Sequence, residues 1–416
     1  MGRKVKPSVS VVIPTYKRAN VLPEALSSVQ AQQGAGELFD MEIVVVDDGS
    51  PDNTSEIMKN FPDVHYIRLE KNQGQYGAVN IGIKASKGEF IALLDDDDLW
   101  LPNRLKDHLP VFQSNPDVGV VYGQIRATGD GNEFLWPDTD RAPSGDAFLF
   151  SLKEELVLPM CIIIRRTAFE KAGYFDDKLR TMGHYDMFLR LSYHVPFVFV
   201  PGAIAIGRFS EDAKWFSNIK SGENIKATLF ILERALAKIQ DPEKRKEYRR
   251  QTMISWFYQF IFLLNKADQP EQIRKRILET LKNEPYMLTD KKGFSTILFG
   301  SNLVTKHFAK SSNSPISVIR NFVMDVKAAA SPTTFRLRLK TRQLRSTIWL
   351  FAAYALKDRN IPAFRRKAGF AAFFCVILNP FVLRKSALII TIMRSIFCQN
   401  FWNLFLKSRK KVAITK

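Results

Sequence analysis

Cysteine is scarce in this sequence. The three present, Cys161, Cys375 and Cys398, lie too far apart for a disulfide framework or a zinc pattern, which suits a reducing compartment. The glycine-rich nucleotide loops are missing too. No G-x-G-x-x-G follows the first apolar segment and no G-x-x-x-x-G-K-[ST] occurs anywhere, which argues against a dinucleotide enzyme or a P-loop NTPase. The opening Met-Gly-Arg-Lys-Val-Lys-Pro-Ser carries charge but no apolar stretch, so no secretory signal is expected. Hydrophobic runs of spanning length are absent as well. Ala368–Leu383 has 16 residues without a charge, which as a helix reaches only about 24 Å, short of a hydrocarbon core of roughly 30 Å, and Pro380 interrupts it. Ser386–Leu406 is longer but contains Arg394, Gln399, Asn400 and Asn403. No spanning helix is expected.

Acidic residues also become rare after residue 220, and this shortage organises the chain. The whole chain, 416 residues with a net charge of +19, is long enough for two or three domains, and 46% apolar residues describe a folded protein. Residues 1–220 hold 24 Lys/Arg against 30 Asp/Glu, a net of −6. Residues 221–416 hold 37 against 12, a net of +25. An acidic half joined to a strongly basic one suggests two tasks, one on a metal-bound substrate and one on an anionic partner. The domain boundary is therefore expected near residue 220.

The first half reads as a parallel sheet. Ser8–Ile13, Met41–Val46, Val64–Leu69 and Phe90–Leu94 are apolar runs of strand length. Between them lie segments of helical spacing, with Val21, Leu22, Ala25, Leu26 and Val29 in one and Ala78, Ile81, Gly82 and Ala85 in another. Strands that are nearly all apolar and alternate with amphipathic helices predict a parallel sheet covered on both faces. The fourth run ends in four consecutive aspartates, Asp95 to Asp98. Four like charges in a row persist most easily beside a divalent cation or in a solvated turn. The carboxyl edge of an open α/β sheet is where ligands bind, and a hard cation shared by carboxylates and phosphate oxygens fits there. The first strand ends in Pro14-Thr15-Tyr16-Lys17-Arg18 and the second in Asp47-Asp48-Gly49-Ser50, on the same edge. Tyr16 can stack a base, and Asp48 can accept a hydrogen bond from a ring N–H. Taken alone, Asp47–Ser50 is equally good turn chemistry.

These residues together resemble a family-2 glycosyltransferase with a GT-A fold. The matching pieces are Val9 to Tyr16, Glu42 to Ser50, Asn72-Gln73-Gly74 with Gly77 to Gly82, Gly88 to Trp100, and Pro102-Asn103-Arg104. The likeness is close over about the first 105 residues and weaker to about residue 200. It implies an α/β GT-A fold, a doubly wound, mixed and mostly parallel sheet followed by an α-helical C-terminal region. It implies that Pro14, Thr15 and Tyr16 line the nucleobase pocket and that Asp48 binds the base edge. Asp95-Asp96-Asp97 become the D-x-D motif, with Asp96 near the ribose and Asp97 holding Mg²⁺ or Mn²⁺ against the diphosphate. Asp98 matches a further acid common in the family.

Downstream, Ala172-Gly173-Tyr174-Phe175-Asp176 resembles the family's G-x-F-D segment after an acceptor-side strand at Met160–Ile164. Members then carry Glu-Asp-x-Asp before a helix, whereas this chain has Gly183-His184-Tyr185-Asp186. The acidic pair that ordinarily supplies the catalytic base is replaced. Histidine is competent as a base near neutral pH, so His184 is one candidate and Asp186 or a neighbour another, with an impaired enzyme as the third reading. By position alone, a histidine at a helix start is more often a surface or capping residue. His65, His108 and His194 show no metal-ligand spacing and are read as structural.

From about residue 221 the pattern is helical, with Ile225, Leu229, Leu232, Leu236 and Ile239 at a period near 3.6. Two loosely similar stretches, from Trp256 to Pro285 and from Trp349 to Pro380, suggest helical hairpins of tetratricopeptide type or simple helix pairs, linked through Lys306–Pro332. The basic-flanked apolar segments fit helices lying on an anionic membrane surface, and equally an ordinary helical core with a solvated basic face. No nucleic-acid-reading module is recognised. The reading is thus an inverting transferase moving a sugar from a nucleotide-diphospho-sugar donor to a saccharide or lipid-linked acceptor, in cell-surface polysaccharide or glycolipid synthesis. It is expected in the cytoplasm, peripheral to the membrane. The alternatives are a non-catalytic nucleotide-sugar-binding scaffold and a nucleotidyltransferase.

Overall fold

The computed structural model describes residues 6–129, 132–155, 158–208, 214–311 and 315–330, together with 340, 341, 344, 345 and 348. The expected second hairpin, both late apolar segments, Cys375 and Cys398 lie outside them. The chain divides into two compact units, Met1–Met253 and Ile254–Lys416.

The first unit is built on strands and helices that alternate. In chain order they are β1 (Ser8–Thr15), α1 (Leu22–Gln30), β2 (Asp40–Asp47), α2 (Thr54–Met58), β3 (His65–Arg68), α3 (Gln75–Ala85), β4 (Phe90–Leu93), β5 (Leu99–Trp100), α4 (Arg104–Ser114), β6 (Val120–Gly129), β7 (Asn132–Trp136), α5 (Phe148–Lys153), β8 (Ile162–Arg165), α6 (Ala168–Ala172), α7 (Gly183–His194), β9 (Phe197–Gly207), α8 (Lys214–Ser221) and α9 (Glu223–Ala237). The strands form one sheet in the order β3-β2-β1-β4-β8-β6-β9-β5, with β7 pairing on β6. The first four strands run parallel, as the nearly all-apolar β1, β2 and β4 predict, while β3 (His-Tyr-Ile-Arg) lies at the half-buried edge. Beyond β4 the sheet is mixed: β8 enters antiparallel between β4 and β6, β9 runs parallel to β6, and β5 returns antiparallel on β9.

Burial explains why these segments are strands. Val9, Val11, Val12 and Ile13 of β1 and Val44, Val45 and Val46 of β2 are all buried, which requires cover on both faces. The helix α1 supplies Leu22, Ala25, Leu26 and Val29 to one core cluster. On the other side α3 comes so close that a Cβ on Gly82 would lie 2.4 Å from a Val12 methyl, so only small residues fit this contact. At the amino edge of the sheet, Gly88 donates to Ser10 Oγ (2.7 Å) and Glu42 Oε1 accepts from Ser10 Oγ (2.5 Å). A Cβ at Gly88 would meet Ser10 N at 2.6 Å and Val9 C at 2.8 Å, both backbone atoms that cannot swing away. Gly88→Ala is expected to cost about 1–3 kcal/mol through overpacking, read as a lowered midpoint in urea with an unchanged slope.

Residues 221–253, which composition groups with the basic half, belong to the sheet-bearing unit. Leu232 and Leu236 of α9 are buried, and Arg234 reaches back to Asp176 and Asp186. The next helix, α10 (Pro242–Lys266), is followed after a three-residue break by α11 (Pro270–Asn283), then α12 (Lys291–Ser311) and α13 (Pro315–Ala330). Within the second unit, Ile273, Ile277 and Leu281 of α11, Ile297 and Val304 of α12, and Phe322, Val323 and Val326 of α13 are buried. Arg274 closes on Asp325 at 2.5 Å. Among the described residues no helix is long and apolar enough to cross a membrane.

Candidate active site

The parallel register brings the ends of β1 and β2 level. Thr15 pairs with Asp47, and Asp48 N donates to Thr15 O at 2.9 Å. Beyond this point both chains turn away, and the loops are tied together: Lys17 N donates to Ser50 Oγ (3.0 Å) and Ala19 N to Asp52 Oδ2 (3.2 Å). Lys17 takes a left-handed conformation, φ 58°. Tyr16 stands half-exposed at the rim, its ring free to stack, with Lys17 Nζ 5.1 Å from the ring centre. Thr15 is buried, with its hydroxyl beside the Asp96 carboxylate.

The two aspartates closing β2 have different roles. Asp47 is fully buried, accepting from Ser50 N (2.8 Å) and from Tyr66 Oη (2.6 Å), so it fixes the turn that the sequence also suggested. Asp48 accepts from Gln73 N (2.6 Å) and Gly74 N (2.9 Å), which anchors the start of α3. Burial raises its pKa despite these bonds.

The aspartate run leaves β4 at the same edge. Asp95 Oδ1 accepts from Gln75 Nε2 at 2.8 Å. Asp96 is buried and is pushed up to about 7 by burial, with Asp97 and Asp95 adding repulsion. Asp98 is buried beside β9 and accepts from Arg208 N (3.0 Å), because β5 pairs with β9 there. Burial raises Asp95 and Asp98 too, and neighbouring carboxylates of the run push them further. Asp95 and Asp97 are the two partly open members of the run, and Arg18 from the β1 loop meets Asp97 at 2.9 Å. Arg18 pairs directly with Asp97, with Arg208 and His184 further off, so four adjacent carboxylates remain a site that a hard cation fits. Among the described residues no three carboxylate, imidazole or thiol groups are arranged to hold an ion alone. Mg²⁺ or Mn²⁺ is commonly bound through one or two carboxylates and completed by substrate phosphates.

His184 faces this edge from the start of α7. Gly183 N donates to Tyr76 Oη (2.8 Å), and the Tyr76 hydroxyl stands 3.4 Å from His184 Nδ1. Glu155 Oε1 lies 2.5 Å from His184 Nε2. Burial alone would lower the imidazole pKa, but Glu155 and then Asp95 reverse this and raise it. A Cβ on Gly183 would lie 2.4 Å from the Tyr76 ring, which stacks on Phe175 at 5.8 Å. The missing side chain at 183 therefore has a packing cause.

Asp186, the other acceptor-side candidate, is buried and turned to arginines: Arg190 Nε donates to it at 2.9 Å, and Arg234 Nη2 binds its other oxygen. It ties α7 to α9. His108 is buried with neither ring nitrogen bonded and is pushed down to about 3 by burial and the Arg104 charge. Arg104 itself is buried, bonds Ile162 O (2.7 Å) and the Met160 carbonyl, and stacks on Trp100 at 4.1 Å.

Residues 10–173 match the model of the family Glycosyl transferase family 2. That span contains most of β1, all of β2 and β4, and the whole aspartate run. It is a family-2 glycosyltransferase domain. An uncharacterized glycosyltransferase of Rickettsia typhi is 34% identical over 194 residues, 45% of this chain and 60% of its own length. The succinoglycan biosynthesis protein ExoO of Rhizobium meliloti is 41% identical over 102 residues, 24% of this chain and 28% of that protein. The chain thus spans well under two thirds of the length of either. The crystal structure of S. aureus TarS 1-349 in complex with UDP superposes with a TM-score of 0.52 at 17% identity, covering 81% of this chain and 91% of that one. The glycosyltransferase domain has the GT-A-type fold expected from its motifs.

Sequence reasoning about the glycosyltransferase domain missed Arg18, Gln75, Tyr76 and Glu155. Arg18 was recoverable, being a cation three residues from Thr15. Glu155 sits in Lys153-Glu154-Glu155, a run that reads as a solvated turn.

Proposed function

We propose that this protein is a metal-dependent, inverting glycosyltransferase that moves a sugar from a nucleotide-diphospho-sugar to an acceptor hydroxyl in cell-surface polysaccharide or glycolipid synthesis. The observation that carries the reading is the meeting of Asp95–Asp97, Thr15 and Asp48 at one sheet edge with His184 opposite Asp95. In this reading Pro14, Thr15 and Tyr16 line the base pocket. Asp48 uses lone pairs left over from its two backbone bonds to accept from the base, and Asp95 and Asp96 face the ribose and diphosphate. Asp97 would hold a divalent cation, which when bound would supply positive charge to offset the charge developing on the departing diphosphate. Arg18, released from Asp97, meets phosphate oxygens. His184 takes the proton as the acceptor oxygen attacks the anomeric carbon, and the bonding pair leaves with the nucleoside diphosphate. UDP bound to TarS supports a nucleotide donor, and the ExoO name supports a polysaccharide product. The basic second half is assigned to an anionic membrane surface on the cytoplasmic side.

The test is a thermal-shift series with UDP-, GDP- and dTDP-sugars, each with and without Mn²⁺. One nucleotide is expected to stabilise the protein by about 2–3 kcal/mol at a hundredfold excess over Kd, and only with metal. Metal-independent shifts, or none with any donor, sink the donor-site assignment.

A further inference from the structure

Glu155 is tied by nothing in the sequence to the reaction, yet its carboxylate lies within 2.5 Å of the imidazole proposed as base. The side chains of both are mostly buried, 21% and 17% exposed, so the contact is shielded from competing water. Glu155 follows α5 and His184 begins α7, and Tyr185 Oη, bonded to Ser151 O at 2.8 Å, pins these helices together. The contact is built into the packing.

The geometry points to Glu155 as the positioning residue for His184: it accepts the Nε2 proton, fixes the tautomer and leaves Nδ1 as the proton acceptor. This inference rests on the proposed role of His184. A carboxylate accepts only, so a neutral imidazole beside it must carry its hydrogen on Nε2. Nδ1 then holds the lone pair, to which the Tyr76 hydroxyl, itself accepting from Gly183 N, donates its hydrogen until the acceptor hydroxyl takes that place. In the transfer step the acceptor oxygen forms its bond to the anomeric carbon, and the bond to the diphosphate oxygen breaks with its electron pair. The hydroxyl proton moves to Nδ1 while Nε2 keeps its own proton, hydrogen-bonded to the Glu155 carboxylate, so imidazolium and carboxylate finish as an ion pair. The groups facing His184 among the described residues are Glu155, Asp95 and Tyr76, while Asp186 on the same helix is occupied by Arg190 and Arg234. Both carboxylates favour imidazolium, so the base is neutral only above the ordinary imidazole range.

The experiment compares wild type, Glu155→Gln and Glu155→Asp in full pH profiles of kcat, alongside NMR titration of the His184 ring. For Glu155→Gln, kcat is expected to fall on the order of 10²-fold with donor KM unchanged. The acidic limb and the ring titration should both move to lower pH, and Glu155→Asp should bring both back toward wild type. Loss of kcat in Glu155→Gln with the ring titration unmoved overturns the proposal and makes Glu155 itself the base. A ring titration that moves while the kcat limb stays put removes His184 from the base role, and Glu155's role with it. Wild type without turnover on any donor that binds counts against the transferase reading itself, whereas an unmoved limb in an active enzyme counts against Glu155 alone.

Discussion

Asp97→Ala is expected to abolish metal-dependent donor stabilisation and to lower sugar transfer on the order of 10³-fold, equivalent to several kcal/mol of charge stabilisation at the leaving diphosphate. Asp97 is partly open and is met by an arginine, Arg18, that is itself half-exposed and displaceable, whereas Asp95 is tied to Gln75. Its neighbours are less available: Asp96 and Asp98 are buried, and Asp98 is held by Arg208 N. The loss should therefore concentrate at position 97. Calorimetric titration with Mn²⁺ and donor, followed by single-turnover transfer, checks both halves. A variant that still binds donor in a Mn²⁺-dependent manner would show that the cation is held elsewhere. Folding should not suffer, because the substitution removes one charge from a repelling cluster and frees an exposed arginine.

Asp186→Ala should do the opposite. It removes the carboxylate shared by Arg190 and Arg234, and Arg190 is only 14% exposed. Breaking a buried pair by deleting one partner costs about 3–5 kcal/mol. The lower end applies here, about 3 kcal/mol, because Arg234 is 35% exposed and also keeps Asp176 at 2.8 Å. The thermal midpoint should fall by several degrees. The protein that remains folded should turn over at near wild-type rate, since neither oxygen faces His184. A stable variant with lost activity would return Asp186 to the catalytic set.

The contrast between these two aspartates shows what the sequence could convey. β1, β2 and β4 were legible because strands buried on both faces are apolar throughout. The acid run after β4 was legible because adjacent carboxylates repel unless a cation or solvent at the sheet edge offsets their charge. The mixed half of the sheet was harder to see. β5 has two residues and exists only because β9 pairs with it, and β9 carries Pro201 and Gly202 within its span. Position 186 matched a family motif, but its partner Arg234 is 48 residues away on a helix that composition assigned to the other half of the chain. Glu155 had the same difficulty in reverse, since its meaning depends on a histidine 29 residues later. Chemistry carried by consecutive residues was readable, whereas chemistry assembled by helix packing was not.

The contact between Gly183 and Tyr76 also constrains how this domain can change. Restoring an acidic side chain at 183 would drive its Cβ into the Tyr76 ring, so it requires a smaller residue at 76 first. That first replacement would remove the hydroxyl that accepts Gly183 N and the ring that stacks on Phe175. The two positions therefore limit each other's size: a side chain at 183 and the Tyr76 ring cannot both be kept without displacing one of them.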